Sequence, residues 1–243
     1  MTKKIYEKMH LNKKIQKRIV SDSNFTYRHI IKSINKYLKS SKKILDIGSG
    51  VGTLDFYLAS RGHPVFGIDI SRNAILTANK NIKIFSFKHK PVFKCISIEN
   101  FKTESKFDFI IATEVLEHVK DDDKITCKIY KLLNKGGFFL CSSPSINAPL
   151  YRLGLLNKFD KEVGHLRRYS VSSYIRMLEK AGFKVCEVVK NEGIGRNILF
   201  TNKFAGNAIK ILKGPFSDLA TFVDYILVRL LGESNIILVA KKI

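Results

Sequence analysis

The sequence lacks the closely spaced cysteines of disulfide-rich proteins and the long apolar runs of membrane-spanning proteins. Its four cysteines lie far apart and form no CxxC pair, which argues against a disulfide framework and against a zinc site. The first residues lack the apolar core of a signal peptide. No window reaches the roughly 18 consecutive apolar residues that a membrane-spanning helix requires. The sequence therefore predicts a protein of a reducing, cytoplasmic compartment.

Acidic residues are also scarce. The chain has 21 Asp and Glu against 43 Lys and Arg, and residues 1–43 carry half of the net charge of +22. A solvated basic surface explains this excess without a partner, whereas an anionic membrane surface or a nucleic acid would explain it as a binding feature. The length of 243 residues and a hydrophobic content of 45% predict one folded domain with a substantial core.

Apolar runs alternate with helical patterns along the chain. This alternation predicts an α/β fold in which a parallel sheet carries helices on both faces. The predicted helix at 121–133 stops at the glycine pair 136–137, and the next strand follows it. We place the seven strands at about 43–47, 64–69, 92–97, 107–113, 138–142, 183–189 and 235–240.

The most informative segment is an apolar run that ends in an acid and is followed by glycines at alternate positions, ILDIGSGVGT at 44–53. It predicts a buried strand, a tight turn and a helix start, because glycine permits positive φ and lets a ligand approach the backbone. The next apolar run ends in Asp69, which is placed to accept hydrogen bonds from ribose hydroxyls. A nicotinamide-binding domain, or a core with glycine turns, would share part of this pattern.

Five blocks in order resemble the class I S-adenosylmethionine-dependent methyltransferases. They lie between about residues 44 and 140 and read LDIGSGVG, VFGIDIS, FDFII, EVLEHV and LLNKGG. The resemblance implies a Rossmann-like seven-stranded sheet, mostly parallel with an antiparallel last strand, and S-adenosylmethionine as the cofactor. It also implies that residues 1–42 form a basic helical arm with a helix that covers the cofactor, and that residues 43–243 form the methyltransferase domain.

The resemblance implies cofactor contacts residue by residue. The loop glycines would lie against the amino-acid part of the cofactor, Asp46 would fix this loop and the cofactor ammonium, and Asp69 would hold the ribose. An acid that often faces the adenine is replaced by Ser97, so that Glu99 or backbone groups would take its place, with Ile98 beside the ring. The implied cofactor-binding residues are Asp46, Gly48, Ser49, Gly50, Gly52, Asp69, Ile70, Ser97, Ile98 and Thr113.

A cluster of acids and histidines follows the predicted fourth and fifth strands. Glu114, Glu117 and His118 come directly after the fourth strand, at the sheet edge where ligands bind in such folds. A hydroxyl that accepts a methyl group must lose its proton, so a base or a metal helps. Oxygen and imidazole ligands suit Mg²⁺ or Mn²⁺, and His165, after the fifth strand, is a fourth candidate ligand.

This ExxEH cluster is similar to that of two groups of O-methyltransferases. One matures the quinone ring of ubiquinone, and the other methylates the terminal 2′-hydroxyl of small RNAs. The resemblance implies that Glu114, Glu117, His118 and His165 hold a metal. If no metal binds, His118 or His165 would act as the base beside Glu117, because imidazole titrates near neutral pH. The structural alternative is a loop in which the acid caps a helix and His118 packs under the cofactor.

Three further residues next to His165 are predicted to contact the substrate: Arg167, Arg168 and Tyr169. Two arginines in a loop can bind a phosphate or sugar phosphate bidentately, and they can equally form surface salt bridges. The surrounding GHLRRYS pattern resembles methyltransferases linked with the assembly of glycans and cell-surface polymers.

Residues 193–232 are predicted to form a helical insertion between the sixth and seventh strands. Its first half alternates apolar residues with lysines, and its second half carries apolar residues at helical spacing. Such a hairpin would lie on a membrane with its lysines at the headgroups. A lid on the domain's own core, a cover over a hydrophobic substrate and a dimer face are the alternatives.

The predicted function is transfer of a methyl group from S-adenosylmethionine to a hydroxyl of a small-molecule, lipid-linked or glycan acceptor, met at an anionic membrane surface on the cytoplasmic side. The alternative is a 2′-O RNA methyltransferase that binds RNA with its basic arm. RNA is less favoured, because the basic residues lack the interleaved aromatics of stacking platforms. A cofactor-binding regulator without transfer activity is the third possibility. No oligomeric state is predicted.

Overall fold

The computed structural model describes residues 2–11, 16–39, 42–201 and 215–243. The described strands form one seven-stranded sheet in the order β3-β2-β1-β4-β5-β7-β6. The strands are β1 Ile44–Ile47, β2 Val65–Asp69, β3 Val92–Cys95, β4 Phe107–Thr113, β5 Leu133–Pro144, β6 Phe183–Asn191 and β7 Asn235–Lys242. The α-helices are α1 Thr2–Met9, α2 Arg28–Tyr37, α3 Thr53–Ser60, α4 Arg72–Asn81, α5 Asp122–Leu132, α6 Pro149–Arg152, α7 Asn157–Val163, α8 Val171–Lys180, α9 Ile194–Thr201 and α10 Pro215–Leu231.

The pairing of the strands confirms the predicted fold class. β1 is parallel to both β2 and β4, and β5 continues the parallel half. β7 runs antiparallel to both of its neighbours, β5 and β6. Because the strand order reverses between β1 and β4, the carboxyl ends of these strands flank a crevice, which is where such sheets bind ligands.

The helices cover both faces of the sheet, as predicted. On one face α2 and α3 bury aliphatic side chains, among them Ile31, Ile34 and Leu58, against β1 and β4. On the other face α5 and α8 pack against β4, β5 and β7 through Ile129, Leu178 and their neighbours. Burial of these faces supplies the main favourable free energy of the fold.

The start of β5, directly after α5, differs from the prediction. The helix stops at Leu132 and β5 begins at once, before the glycine pair. Gly136 has a φ of 76°, and a Cβ on Gly137 would lie 2.9 Å from two backbone carbonyl oxygens. The pairing register of β4 and β5 shifts at this point. The glycines therefore belong to an irregular start of β5, because only they fit where the strand bulges.

The insertion contains two described helices, α9 and α10. Residues 202–214, which hold the lysines of its first half, lie outside the described residues. Along α10, large apolar side chains are solvent-exposed, with Leu230 73% exposed and Leu219 and Phe222 each 62%. Within the described residues, no helix combines the length and apolar character needed to span a bilayer.

Candidate active site

Two cavities adjoin at the carboxyl ends of the parallel strands. The larger cavity has a volume of about 710 Å³ and the smaller one about 440 Å³. Both are lined by His10, Gly48, Gly50 and Glu114. The cleft is therefore two chambers that meet at the glycine-rich turn and the end of β4.

The turn between β1 and α3 has the conformation that its glycines predict. Gly48 and Gly50 have φ angles of 76° and 55°, a region that glycine adopts without strain. A Cβ on Gly48 would lie 2.6 Å from the Val115 side chain. The amides of Gly48 and Ser49 both donate to the carbonyl of Ile68, so that the loop is fixed to the end of β2.

Asp69 organises the boundary between the loop and the larger cavity. Its two carboxylate oxygens accept hydrogen bonds from the amides of Gly50, at 2.9 Å, and Ser71, at 2.7 Å. Burial raises the pKa of Asp69, and these two hydrogen bonds oppose that shift. The carboxylate lines the larger cavity beside Ile70 and Ile98, which fits the ribose and the base of a nucleoside.

A second acidic group, the pair Asp46 and Asp55, lies beneath the loop. The sequence analysis identified Asp46 but not Asp55. Asp46 is buried, its Oδ1 has no hydrogen-bond partner, and it lines the smaller cavity. Asp55 of α3 is fully buried beside it. Burial raises the pKa of Asp46 to about 7, and burial together with the charge of Asp46 raises the pKa of Asp55 well above its usual range. The one signal for this pair is an acid within the otherwise apolar helix TLDFYLAS.

Most residues that the resemblance implied for cofactor binding line one of the two cavities. Gly52 lines neither cavity. It faces the core, where a Cβ would lie 2.7 Å from the Phe93 ring and 2.8 Å from the Phe56 ring, and with a φ of 87° it directly precedes α3. The cavity-lining members are Asp46, Gly48, Ser49, Gly50, Asp69, Ile70, Ser97, Ile98 and Thr113. The pattern fits a nucleoside in the larger cavity with an ammonium near the unpartnered Oδ1 of Asp46.

Glu117 is the buried centre of the acid–histidine cluster. It is fully buried, and Ser143 Oγ donates to its Oε2 at 2.9 Å. Its Oε1 has no hydrogen-bond partner and lies 3.7 Å from His118 Nε2. Burial, together with the nearby carboxylate of Glu114, raises the pKa of Glu117 well above its usual range.

The two histidines of the cluster are oriented alike. His118 Nδ1 lies 3.0 Å from the Gly164 carbonyl, and His165 Nδ1 lies 2.8 Å from an Asp160 oxygen. Each contact fixes Nδ1 as the donor and leaves Nε2 as the free nitrogen of the ring. Burial lowers the pKa of His118 to about 4, so this imidazole is neutral at pH 7.

One backbone contact explains why Glu117 and His118 lie close to His165, although they are distant in the sequence. The amide of Leu166 donates to the Glu117 carbonyl at 2.9 Å, which joins the segment after α7 to the loop after β4. Potential ligand atoms of Glu117, His118 and His165 consequently lie within 4.8 Å of one another. One carboxylate and two imidazoles held through their Nδ1 atoms fit a divalent metal site.

Glu114 belongs to a different network from the other predicted ligands. Its Oε1 accepts hydrogen bonds from Ser142 Oγ at 2.8 Å and from Asn235 Nδ2 at 2.7 Å. Its backbone has a φ of 55°, which is uncommon for a residue with a side chain. Glu114 thus faces both cavities from the end of β4, and the candidate metal ligands are the remaining three.

The predicted substrate residues all have partners within the chain. Arg167 forms an ion pair with Asp122 at 2.8 Å, and the hydroxyl of buried Tyr169 contacts the same side chain at 2.6 Å. Arg168 donates two hydrogen bonds to Asp160, yet it also lines the smaller cavity. Although burial acts against it, hydrogen bonds from His165 and Arg168 lower the pKa of Asp160 to about 2. Substrate contact by these three residues stays a prediction.

Helix α1 closes the larger cavity, a role that the sequence analysis gave only to the helix preceding β1. Lys3, Tyr6 and His10 line this cavity. The Glu7 carboxylate accepts hydrogen bonds from the first backbone amides of α4, at Arg72 and Asn73. The Tyr6 ring packs edge-on against His118 with 5.3 Å between the ring centroids. Tyr27, directly before α2, and Ile30, in the first turn of α2, line the smaller cavity.

The sheet order, the glycine loop and the carboxylate at the end of β2 define a nucleoside-binding domain of the Rossmann-like methyltransferase class. A family model described as a methyltransferase domain matches residues 22–188. The chain therefore belongs to the S-adenosylmethionine-dependent methyltransferases of class I, as its motifs predicted.

Curated relatives include both O- and N-methyltransferases. The ubiquinone biosynthesis O-methyltransferase of Chromobacterium violaceum is 27% identical over 164 residues, which cover 66% of this chain and 67% of that protein. Phosphoethanolamine N-methyltransferase 3 of Arabidopsis thaliana is 31% identical over 161 residues, which cover 60% of this chain and 30% of that protein. The match thus spans two thirds of the bacterial relative and less than a third of the plant one.

Solved structures show the same fold. The N-methyltransferase NodS from Bradyrhizobium japonicum, in complex with S-adenosyl-L-homocysteine, aligns with a TM-score of 0.63 and 17% identity. The alignment covers 99% of this chain and 98% of that one. This similarity extends the fold assignment over nearly the whole chain.

Proposed function

We propose that this protein transfers a methyl group from S-adenosylmethionine to a hydroxyl of a small, lipid-linked or glycan acceptor. The observation that carries the proposal is the junction of the two cavities at Gly48, Gly50 and Glu114. A nucleoside in the larger cavity and an acceptor in the smaller one would meet there. Holding two reactants in contact in this way is the main contribution a protein makes to such a displacement.

The chain's own residues account for cofactor binding. Asp69 would bind the ribose hydroxyls, Ile70 and Ile98 would flank the base, and the unpartnered Oδ1 of Asp46 would accept from the ammonium. The bound cofactor supplies an activated methyl group on a sulfonium. Closure of α1 over the larger cavity excludes water from the nucleoside.

The choice of a hydroxyl acceptor is supported by the Glu117–His118–His165 cluster, which adjoins the larger cavity through His118. These three residues would hold Mg²⁺ or Mn²⁺, and a bound divalent ion lowers the pKa of a hydroxyl. His118 is neutral at pH 7 and keeps Nε2 free, as a metal ligand or a proton acceptor requires.

A lipid-linked acceptor at an anionic membrane is supported by α10. Its exposed apolar residues, among them Phe222 and Leu230, lie on a chain whose net charge is +22. An apolar helix face on a strongly basic protein suits an anionic bilayer surface. Flotation with anionic and neutral liposomes across a salt series tests this part. Loss of anionic-vesicle binding in Phe222→Ser/Leu230→Ser, with unchanged cofactor binding, is the expected result.

The acceptor class is tested by label transfer. Purified protein, cofactor labelled in its methyl group and fractionated cell extract are incubated with and without added Mn²⁺ after chelator treatment. We expect label in a small-molecule, lipid or glycan fraction through an ether linkage that is stable to mild base. Label in RNA would favour the 2′-O RNA alternative, and label on nitrogen would overturn the hydroxyl assignment.

A further inference from the structure

We propose that the smaller cavity binds a polyhydroxylated ring, such as a sugar unit or a cyclic polyol, and that Glu192 determines this specificity. The inference rests on the proposed function, because this cavity is where the acceptor would meet the cofactor.

The backbone gives the first observation. Among the described residues, Glu114 and Glu192 are the non-glycine residues with φ in the left-handed region, at 55° and 61°. Each directly follows the last residue of a strand, β4 or β6, and both line the smaller cavity. Glycine would hold this conformation without strain, and strained residues of this kind cluster at functional sites. The chain instead places a carboxyl group at both positions.

The surroundings of Glu192 give the second observation. Its carbonyl accepts a hydrogen bond from the Ser234 amide at 2.7 Å, which fixes the turn to the start of β7. Its carboxyl group receives no hydrogen bond from any described side chain or amide. Burial, together with the charge of Glu114, raises the pKa of Glu192 to about 8, and the charge of Arg196 opposes this shift.

Two further polar groups of the same wall lack partners. Asn191 Oδ1 and Ser234 Oγ are buried without a hydrogen-bond partner, and both residues line the smaller cavity. Buried polar atoms are nearly always paired, because an unpaired one costs free energy. A ligand that donates hydrogen bonds would pair these atoms together with Glu192.

The cations beside the cavity are already engaged. Arg168 donates two hydrogen bonds to Asp160. Arg196 forms an ion pair with Asp224 at 3.2 Å and stacks on Phe25 with 3.8 Å to the ring centroid. Neither of these two arginines of the described chain is free to pair the acceptors of this wall, and a ligand that carries donors would pair them.

A ring with several hydroxyls matches this wall better than a single ammonium does. The acceptors are spread over the ends of β4, β6 and β7, and the Ser234 hydroxyl can also donate. A hydroxyl both donates and accepts, whereas an ammonium only donates and concentrates its charge at one point. Several distributed hydrogen bonds of both kinds are what neighbouring ring hydroxyls can form.

The test uses the full chain saturated with S-adenosylhomocysteine. Binding is measured by saturation-transfer NMR titration with methyl glycosides of glucose, galactose, mannose and rhamnose and with myo-inositol, and with ethanolamine and catechol for comparison. We expect at least one polyol to bind. At pH 9, where the Glu192 carboxylate is largely ionised, Glu192→Gln should weaken it about tenfold or more, as for a lost hydrogen bond to a charged group. Glu179→Gln, on the exposed face of α8, is the matched control.

A second variant separates function from folding. Glu192→Gly relieves the left-handed strain, so its melting temperature should be equal to or above that of the parent, while polyol binding is lost. Absence of binding by every polyol, equal binding by Glu192→Gln, or Glu192-dependent binding of ethanolamine or catechol alone would each overturn the proposal. Failure to bind S-adenosylhomocysteine would instead overturn the proposed function, and this inference with it.

Discussion

The two cavities of the cleft are assembled in different ways. The larger one is lined mainly by residues in successive strand-to-helix turns, after β1, β2, β3 and β4, with α1 as its cover. The smaller one shares the turns after β1 and β4 and adds residues near 26–30, 142–144, 191–197 and 234–235. A cofactor site built from local turns leaves a motif in the sequence. A site built from distant segments does not, although under the proposed function it would decide the acceptor.

The two cavities also differ in how their polar side chains are hydrogen-bonded. In the larger cavity Asp69 accepts two backbone hydrogen bonds, so its geometry is set before a ligand arrives. In the smaller cavity Asn191 and Ser234 have buried atoms without partners. The comparison indicates a preorganised cofactor half and an acceptor half whose hydrogen bonds are completed by the ligand.

The largest expected effect concerns the acid–histidine cluster. Glu117→Gln and His165→Ala should each lower methyl transfer by about 10²–10⁴-fold, the range for loss of a group that handles the acceptor proton. Affinity for S-adenosylhomocysteine, measured by calorimetry, should change less than about threefold, because neither residue lines a cavity in which the cofactor fits. Full activity in both variants would remove the cluster from the reaction.

Substitution of Asp69 should weaken cofactor binding, whereas the cluster substitutions should weaken methyl transfer. Asp69→Ala removes a carboxylate that would bind the ribose and that holds the Gly50 amide, so affinity for S-adenosylhomocysteine should fall about 100-fold. Calorimetry measures this loss. Asp123→Ala, a surface partner of Lys180, is the control. Unchanged affinity in Asp69→Ala would contradict the assignment of the larger cavity.

Helix α1 tests whether the larger cavity is closed by its cover. Glu7→Ala removes the side chain that accepts hydrogen bonds at the start of α4, so S-adenosylhomocysteine should dissociate about fivefold faster, as expected for the loss of one helix cap. Backbone hydrogen bonds from Asn73 and Arg72 lower the pKa of Glu7. Release from the parent protein should therefore also quicken in acid, as Glu7 becomes protonated.

Stopped-flow fluorescence with a displaced analogue measures this release. Lys4→Ala, which changes an exposed residue of the same helix, should leave the rate unaltered. Equal rates for Glu7→Ala and the parent would show that α1 does not control exchange.

The smallest expected effect lies beneath the glycine loop. Burial raises the folded-state pKa of Asp46 from 3.8 to about 7 and raises that of Asp55, so the unfolded chain releases these protons at lower pH. The pair therefore costs little stability near pH 4 and increasingly more as the pH rises through 7. Asp55→Asn should raise the melting temperature by about 2–6 °C at pH 8.

The same variant and its parent should melt within about 2 °C of each other at pH 4, where both carboxyls are protonated in the folded chain and only partly ionised in the unfolded chain. Differential scanning calorimetry at the two pH values measures the difference. A larger gain at pH 4 than at pH 8 would contradict the raised pKa values of this pair.

The sequence predicted the strands and the conformation of the glycine loop, for reasons that are local. The acid–glycine pattern of 44–53 encodes a strand and a turn within ten residues, and Asp69 ends the neighbouring strand. The predicted end of α5 is confirmed to within one residue, but the predicted start of β5 was wrong, because Gly136 and Gly137 are typical of a helix end and of a strand bulge alike, and the pairing of β4 with β5 selects the bulge.

The residues that the smaller cavity gathers from distant segments could not be predicted from the sequence. Nothing near Glu192 or Asn191 forms a motif, and their role depends on β7 bringing Ser234 and Asn235 beside them. Likewise, Arg168 follows His165 in the predicted substrate segment, but Asp160 engages both side chains. Competition between a ligand and an internal partner is decided by packing.

What the chain determined by itself is the family, the parallel core of the sheet and the floor of the nucleoside site, since each follows from contacts among neighbouring residues. Tertiary structure alone decided which acids are left without donors, which histidines converge and which helix covers the cleft. Those outcomes depend on burial, which changes the cost of every unpaired polar atom and is set only when distant segments pack together.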